Sequence, residues 1–180
     1  MSEVKINKTM IVRQLESTDF DNLLFYLEKL SAATRSRFAP HAFDLPTIKL
    51  FYATESRNTG FIIDDSYSKE IVAYTIIKLG YVPKDKLRLE AYQFQLQPTT
   101  DCTFAPSVAD AWQGKGLGNL LFDFIKNDLR NKGIKRVILW GGVQASNAKA
   151  INYYSKQGFR TIGKFVNKGI DNFDMVLELE

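Results

Sequence analysis

The sequence is poor in the residues that build metal sites and disulfide frameworks: one cysteine, Cys102, and one histidine, His41, in 180 residues. A lone thiol forms no bridge within the chain, and one imidazole beside it does not complete a zinc site, so a metal-free mechanism and a reducing compartment are expected. No apolar run approaches the roughly 20 residues needed to cross a bilayer. The first ten residues also lack the apolar stretch of a signal peptide. The expectation is a soluble, cytoplasmic protein with no membrane partner. Charge of one sign is not concentrated: 24 basic against 20 acidic residues leave +4 and no basic tail, which argues against nucleic acid as a partner. Such a balance suits a small polyanion. No repeat, low-complexity tract or linker is visible, and 45% apolar residues fill a core, so residues 1–180 are expected to form a single domain.

Branched residues at 10–15 predict a first strand. Leu23, Leu24, Leu27 and Leu30 recur at helical spacing behind Ser17, Thr18 and Asp19, and predict a helix over 19–31. A further helical stretch is read over 46–54. The runs at 60–64 and 71–77 flank the turn-rich 65–70 and predict an antiparallel hairpin. After a polar turn at 83–86, the alternation from Leu87 to Tyr92 predicts an edge strand extending that hairpin. A strand follows over 102–109, interrupted by Pro106, which removes one ladder donor. The helix predicted over 117–132 carries Leu120, Leu121, Phe124, Ile125 and Leu129 on one stripe and ends at Gly133. A strand at 136–140, a helix capped by Ser146 or Asn147 and stopped by Gly158, and closing strands at 159–166 and 173–179 complete the chain.

The chemistry is concentrated where strand gives way to helix, at Gln113-Gly114-Lys115-Gly116-Leu117-Gly118. Glycines at alternate positions allow backbone conformations in which consecutive N–H groups point at one anion. The start of the helix adds its partial positive end, and Lys115 adds a full charge. A phosphate or pyrophosphate fits this pattern; a tight turn with no ligand is the plain alternative. A P-loop needs Lys-Ser or Lys-Thr directly after its last glycine, whereas Gly118 is followed by Asn119-Leu120. A dinucleotide-binding turn needs two residues between its last two glycines, and only Leu117 separates Gly116 from Gly118.

Gln113 to Gly118 resembles the Gln/Arg-x-x-Gly-x-Gly/Ala signature of the GNAT superfamily of acyl-CoA-dependent N-acetyltransferases. Asn147-Ala148-Lys149-Ala150-Ile151-Asn152-Tyr153-Tyr154-Ser155-Lys156-Gln157-Gly158-Phe159 resembles that family's second signature, in the right order. The likeness extends over nearly the whole chain and is least informative for residues 31–58 and 80–100. It implies an α/β (α+β) fold with a mixed, mostly antiparallel central sheet of six to seven strands, helices on both faces, and strands splayed before and after the cradle helix. The implied activity is transfer of an acetyl group from acetyl-CoA, as co-substrate, to a primary amine by direct attack.

The same resemblance implies roles for single residues. The main chain of Ser107 and Val108 would pair with pantetheine as an added strand does. Gln113, Gly114, Lys115, Gly116, Leu117 and Gly118 would hold the pyrophosphate through their N–H groups. Asn147 would reach the pantetheine arm, although its position also reads as a plain N-cap. Tyr154 would lie near the thioester sulfur and protonate the departing thiolate, from a phenol whose reference pKa is about 10. Tyr153 reads as core packing, and so does Trp112, beneath the turn.

A base for the incoming ammonium is harder to find. Thr103 and Gly142 stand where relatives carry a carboxylate, which leaves Asp101, Glu90 and His41 as candidates, each with an ordinary turn or surface role as its alternative. Cys102 has no histidine near it in sequence and reads as a packing residue. Arg35, Arg37 and Phe38 lie in a stretch that could line the acceptor side. The competing function is a non-catalytic acyl-CoA-binding sensor or interaction module. The acceptor, small molecule or peptide, is left open, as is the choice between monomer and homodimer, for which an exposed closing strand offers an edge.

Overall fold

The computed structural model describes residues 4–5 and 9–179. In chain order the elements are β1 (Val4–Lys5), β2 (Met10–Gln14), α1 (Phe20–Lys29), α2 (Ala32–Arg35), α3 (Leu45–Phe51), β3 (Asn58–Asp65), β4 (Ile71–Leu79), α4 (Lys86–Ala91), β5 (Asp101–Val108), α5 (Leu117–Asn131), β6 (Arg136–Leu139), β7 (Val143–Gln144), α6 (Ala148–Lys156), β8 (Arg160–Asn167) and β9 (Ile170–Glu178). Two of these strands, β1 and β7, are two residues long, and the other seven are the ones the sequence pattern anticipates. The chain divides into two compact units, Met1–Ile77 with Ala105–Asn127, and Lys78–Phe104 with Asp128–Glu180.

In the first unit β2 pairs antiparallel with both β1 and β3, from Met10↔Asp65 to Gln14↔Phe61. Arg13 on β2 holds the corner by donating to Asp19 and to Asp64, each at 2.6 Å. Leu23, Tyr26, Leu27 and Leu30, at i, i+3, i+4 and i+7, form the buried face of α1. Phe61 and Ile63 on β3 and Tyr74 and Ile76 on β4 are fully buried as well. The buried stripe of α5 is rotated from the expected one. Phe122 is buried beside Leu121, Ile125 and Leu129, while Leu120 is 40% exposed.

In the second unit β5 runs parallel to β6, from Asp101↔Arg136 to Phe104↔Leu139, and the Trp140 N–H donates to the Phe104 carbonyl to close that ladder. β5 continues to Val108 after this pairing has ended. β9 takes β6, β7 and β8 antiparallel. Gly133, with φ +72°, turns α5 toward β6; its N–H donates to Arg130 O and that of Ile134 to Leu129 O.

The edge strand expected over Leu87–Tyr92 is absent. A 3-10 turn, Pro83–Asp85, leads instead into the helix α4. Leu89 is 1% exposed and packs with Phe94, Ile138 and Val176, whereas Leu87 is 82% exposed. Burial of a single leucine, together with the ionic contacts of Arg88 and Asp85, sets this segment's conformation.

Candidate functional site

At the end of β5 the Ala109 N–H still donates to Val72 O at 2.9 Å, and a 3-10 turn, Asp110–Trp112, then redirects the chain. Gln113 is extended, and Gly114 and Gly116 have φ of +79° and +83°. This left-handed conformation costs an L side chain about 1–2 kcal/mol per residue. A Cβ at either glycine would meet nothing within 4 Å, so backbone conformation and not crowding calls for glycine here, and the space over the turn is open. Among the described residues the main-chain N–H groups of Gly114, Lys115, Gly116 and Leu117 make no backbone hydrogen bond of normal geometry. They stand at the first turn of the 15-residue helix α5, where an anion is favoured. Lys115 lies with its ammonium 4.5 Å from the centre of the Trp112 ring, so a full positive charge accompanies the amides.

The α1–α2 corner is hydrogen-bonded to this turn. The Asp110 carboxylate accepts from Ser31 N at 2.9 Å, Ser31 Oγ at 2.8 Å and Thr34 Oγ1 at 2.7 Å. These bonds, the Ser31 N–H first, hold its carboxyl below the usual carboxylate range. Gln113 Nε2 donates to Val108 O at 3.2 Å and to Thr34 Oγ1 at 3.5 Å. Ser107 is buried; its hydroxyl accepts from Tyr26 Oη at 2.8 Å and donates to Tyr74 O at 3.4 Å. Burial pushes the Tyr26 phenol well above its ordinary value. A cavity of about 370 Å³ adjoins the turn, lined by Tyr26, Lys29, Val72, Asp110 and Trp112 among others. Sequence gave a cue for Ser31, a serine placed to cap a helix, but none for Asp110 as its partner.

The second signature lies in the other unit. Tyr154 is 9% exposed, its ring set against Phe104, Tyr153 and Phe159 at 6.4, 5.3 and 5.5 Å between centroids. Its hydroxyl has no hydrogen-bond partner among the described residues, and burial pushes the phenol well above its ordinary value. Asn147 caps α6, its Oδ1 accepting from Ala150 N at 3.3 Å.

The candidate bases have other employment. Asp101 is fully buried, accepts two bonds from Arg136 at 2.7 and 2.9 Å, and accepts the Gln97 N–H. Thr103 donates to Gly80 O at 2.9 Å. Glu90 is exposed on α4, 3.9 Å from Lys86. At Gly142, with φ +70°, an added Cβ would lie 2.6 Å from Phe173 O and 2.8 Å from the Phe165 ring, so no side chain fits there. His41 Nδ1 is 2.8 Å from Ala42 O and so carries the proton, which turns the lone pair of Nε2 toward Tyr74 Oη at 3.4 Å. Burial lowers the His41 pKa and keeps the ring neutral. Arg35 donates to Leu30 O and Glu28 O, carbonyls at the end of α1. Cys102 is wholly buried, and burial pushes its thiol well above the ordinary value, which removes it as a nucleophile. No group of three or more potential metal-binding side chains occurs among the described residues, and no helix of theirs is long and apolar enough to cross a membrane.

The model of the acetyltransferase (GNAT) family matches residues 25–159. No curated protein matches the chain. Among solved structures, ribosomal-protein-S5-alanine acetyltransferase from Vibrio fischeri superposes with a TM-score of 0.76 at 12% identity, covering 100% of this chain and 98% of that one. Ribosomal-protein-S18-alanine N-acetyltransferase from Escherichia coli gives 0.64 at 19% identity, covering 94% of each. A Salmonella typhimurium structure described with its cofactor acetyl-CoA gives 0.68 at 19% identity, covering 95% of this chain and 94% of that one. At such identities the likeness establishes the fold, a mixed α/β architecture with a mostly antiparallel sheet.

Proposed function

We propose, because the chain belongs to the acetyltransferase (GNAT) family of acyltransferase enzymes, that it transfers an acetyl group from acetyl-CoA to a primary amine of a small-molecule or peptide acceptor. The observation that carries this reading is the left-handed glycine turn from Gly114 to Leu117 at the head of α5, whose N–H groups make no backbone hydrogen bond of normal geometry among the described residues and whose glycines face open space, a setting whose charge favours a diphosphate. In this reading the turn from Gln113 to Gly118 holds the diphosphate. The main chain of Ser107 and Val108, with Asn147 and Tyr154, serves the pantetheine arm.

The neutral amine attacks the thioester carbonyl carbon directly; the C–N bond forms, the C–S bond breaks, and no acyl-enzyme is made. The departing thiolate takes its proton from the Tyr154 phenol, the new amide nitrogen loses its surplus proton to water, and the phenolate regains a proton from water before the next turnover. A phenol raised by burial stays protonated through the neutral range, so the proton is always present, although it is given up less readily than from a free phenol. With Asp101 committed to Arg136 and no carboxylate at Thr103 or Gly142, the reading assigns no side-chain base, and the acceptor enters already deprotonated. Turnover then rises with pH along the titration of the acceptor's own ammonium. Two of the structural neighbours are named for acetylating alanine of ribosomal proteins, which makes a peptide N-terminus the first acceptor class to try. A cytoplasmic, metal-free enzyme working as a monomer or homodimer, without nucleic acid or membrane, completes the reading.

The missing carboxylates also favour a second reading, a non-catalytic acyl-CoA sensor or interaction module. Calorimetry with acetyl-CoA, followed by thiol release against a panel of peptides and small amines, separates the two. The transferase reading expects binding, turnover, and a loss on the order of 100-fold in kcat for Tyr154→Phe. Binding without turnover across the panel would favour the sensor, and no binding of coenzyme A at all would remove both.

A further inference from the structure

The α1–α2 corner and the glycine turn are joined by one unbroken path of hydrogen bonds. Asp110 receives three donors, Ser31 N, Ser31 Oγ and Thr34 Oγ1. The same Thr34 hydroxyl accepts from Gln113 Nε2, which also reaches Val108 O, so the path links the first turn of α2 to the first residue of the cradle and to the end of β5. Beyond Gln113 the main chain is next tied where the Gly116 carbonyl accepts from the Asn119 and Leu120 N–H groups, at 3.0 and 3.2 Å. Gly114 and Gly116 have no side chains, and the Lys115 side chain extends over Trp112. Gln113 is therefore the side chain that fixes how the cradle amides leave the strand, and Leu117, 7% exposed, is the next buried anchor.

We propose that Ser31, Thr34 and Asp110 form a clasp that sets the affinity of the cradle for the coenzyme diphosphate by holding Gln113, which makes Asp110 and Thr34 positioning residues for binding. This deepens the acetyl-CoA reading above and rests on it. The charge of Asp110 gives the inference its edge. A carboxylate close in sequence to a polyanion site weakens binding by Coulomb repulsion if it does nothing else. Here its charge is taken up by three donors in the α1–α2 corner, and these bonds place a carboxylate where its bare charge is otherwise a liability. A bystander and a clasp thus predict opposite signs when the charge is removed.

The test is calorimetric titration of the full chain with coenzyme A and with acetyl-CoA, alongside thermal melts showing that each variant is folded. Asp110→Ala and Thr34→Val are each expected to raise Kd by roughly 5- to 30-fold, or about 1–2 kcal/mol, since the bonds lost act on the coenzyme only through the placement of Gln113. Thr34→Val keeps the shape and removes only the hydroxyl, and Thr34→Ser, which restores it, is expected to bind within about twofold of the wild type. Because both substitutions cut the same path, the double variant is expected to bind no more weakly than the worse single one, and strictly additive losses would overturn the clasp. Equal or tighter binding by Asp110→Ala would overturn it as well. Failure of the wild type to bind either compound is a different result, and it removes the acetyl-CoA reading itself.

Discussion

Arg88 on α4 grips Asp174 on β9 with two parallel hydrogen bonds, Nε to Oδ2 at 2.8 Å and Nη2 to Oδ1 at 3.1 Å. Its remaining nitrogen reaches Asp85 at 2.9 Å, and its guanidinium lies 3.8 Å from the centre of the Phe165 ring. Asp85 and Asp174 are 4% and 1% exposed, so one cation serves two buried carboxylates. Arg88→Ala leaves both without their cation, with only Tyr92 Oη donating to Asp174 and the Gly141 N–H to Asp85 among the described residues, and a loss of about 3 kcal/mol in unfolding free energy is expected by chemical denaturation. Arg88→Lys lacks the planar fork and restores less than half of it. A loss below about 1 kcal/mol in the alanine variant would show the network to be solvated and weak.

Gly142 bears on the search for a base. Its φ of +70° and the crowding by Phe173 O and Phe165 leave no room for a side chain. Gly142→Ala is expected to cost at least about 2 kcal/mol, the left-handed penalty plus displacement of a neighbour. Gly142→Glu, the obvious way to install a carboxylate, lowers Tm further and does not raise turnover. A stable, faster Gly142→Glu enzyme would contradict this packing.

The cradle separates conformation from charge. Gly116→Ala adds a Cβ that meets nothing but must hold φ near +83°. The strain, about 1–2 kcal/mol, is relieved by the turn relaxing, and coenzyme A binding weakens about 10-fold with little dependence on salt. Lys115 is exposed and rests on Trp112, so Lys115→Ala weakens binding only a few-fold, and the deficit disappears as ionic strength rises through the Debye range. Titration at two salt concentrations reads both effects.

Acid stability has two stages. The His41 pKa is lowered, first by burial and against smaller raising effects of the Ala42 carbonyl and Asp44, so the folded state favours the neutral ring. Its contribution is fully present above the unfolded value of about 6.5 and is lost as pH falls through the lower folded value. His41→Gln is expected to flatten the pH dependence of stability as pH falls from about 6.5 through the lowered folded value. Asp19, Asp44 and Asp110 are all held below the ordinary carboxylate value, so their contributions vanish only at lower pH, below about 4, and persist in that variant. Identical melting profiles for wild type and His41→Gln across the first window would show that the ring titrates freely.

Much of this architecture was legible in the letters because it rests on local periodicity. Leu23, Leu27 and Leu30 of α1, the branched runs of β3 and β4, and glycines placed at helix ends each encode their own element, although Tyr26 and not the expected Leu24 completes the buried face of α1. The glycine turn was legible for the same reason, since left-handed backbone at Gly114 and Gly116 demands that residue type. Residues 87–92 misled because Leu87 and Leu89 alternate as in a strand, while a six-residue helix buries only one of them, and its anchors, Asp174 and Val176, lie far along the chain. The Asp110 contacts, 76 to 79 residues distant in sequence, left no local trace. Nor did the crowding that empties position 142.

The burial of Cys102 has a practical side. Disulfide reagents that colour on meeting a free sulfhydryl will find none on the surface of the native chain. Any signal above the blank in such an assay therefore counts coenzyme A released from the thioester. With protein alone, before acetyl-CoA is added, a slow rise would report the opening of the fold around that strand, so this blank can serve as a clock for local unfolding.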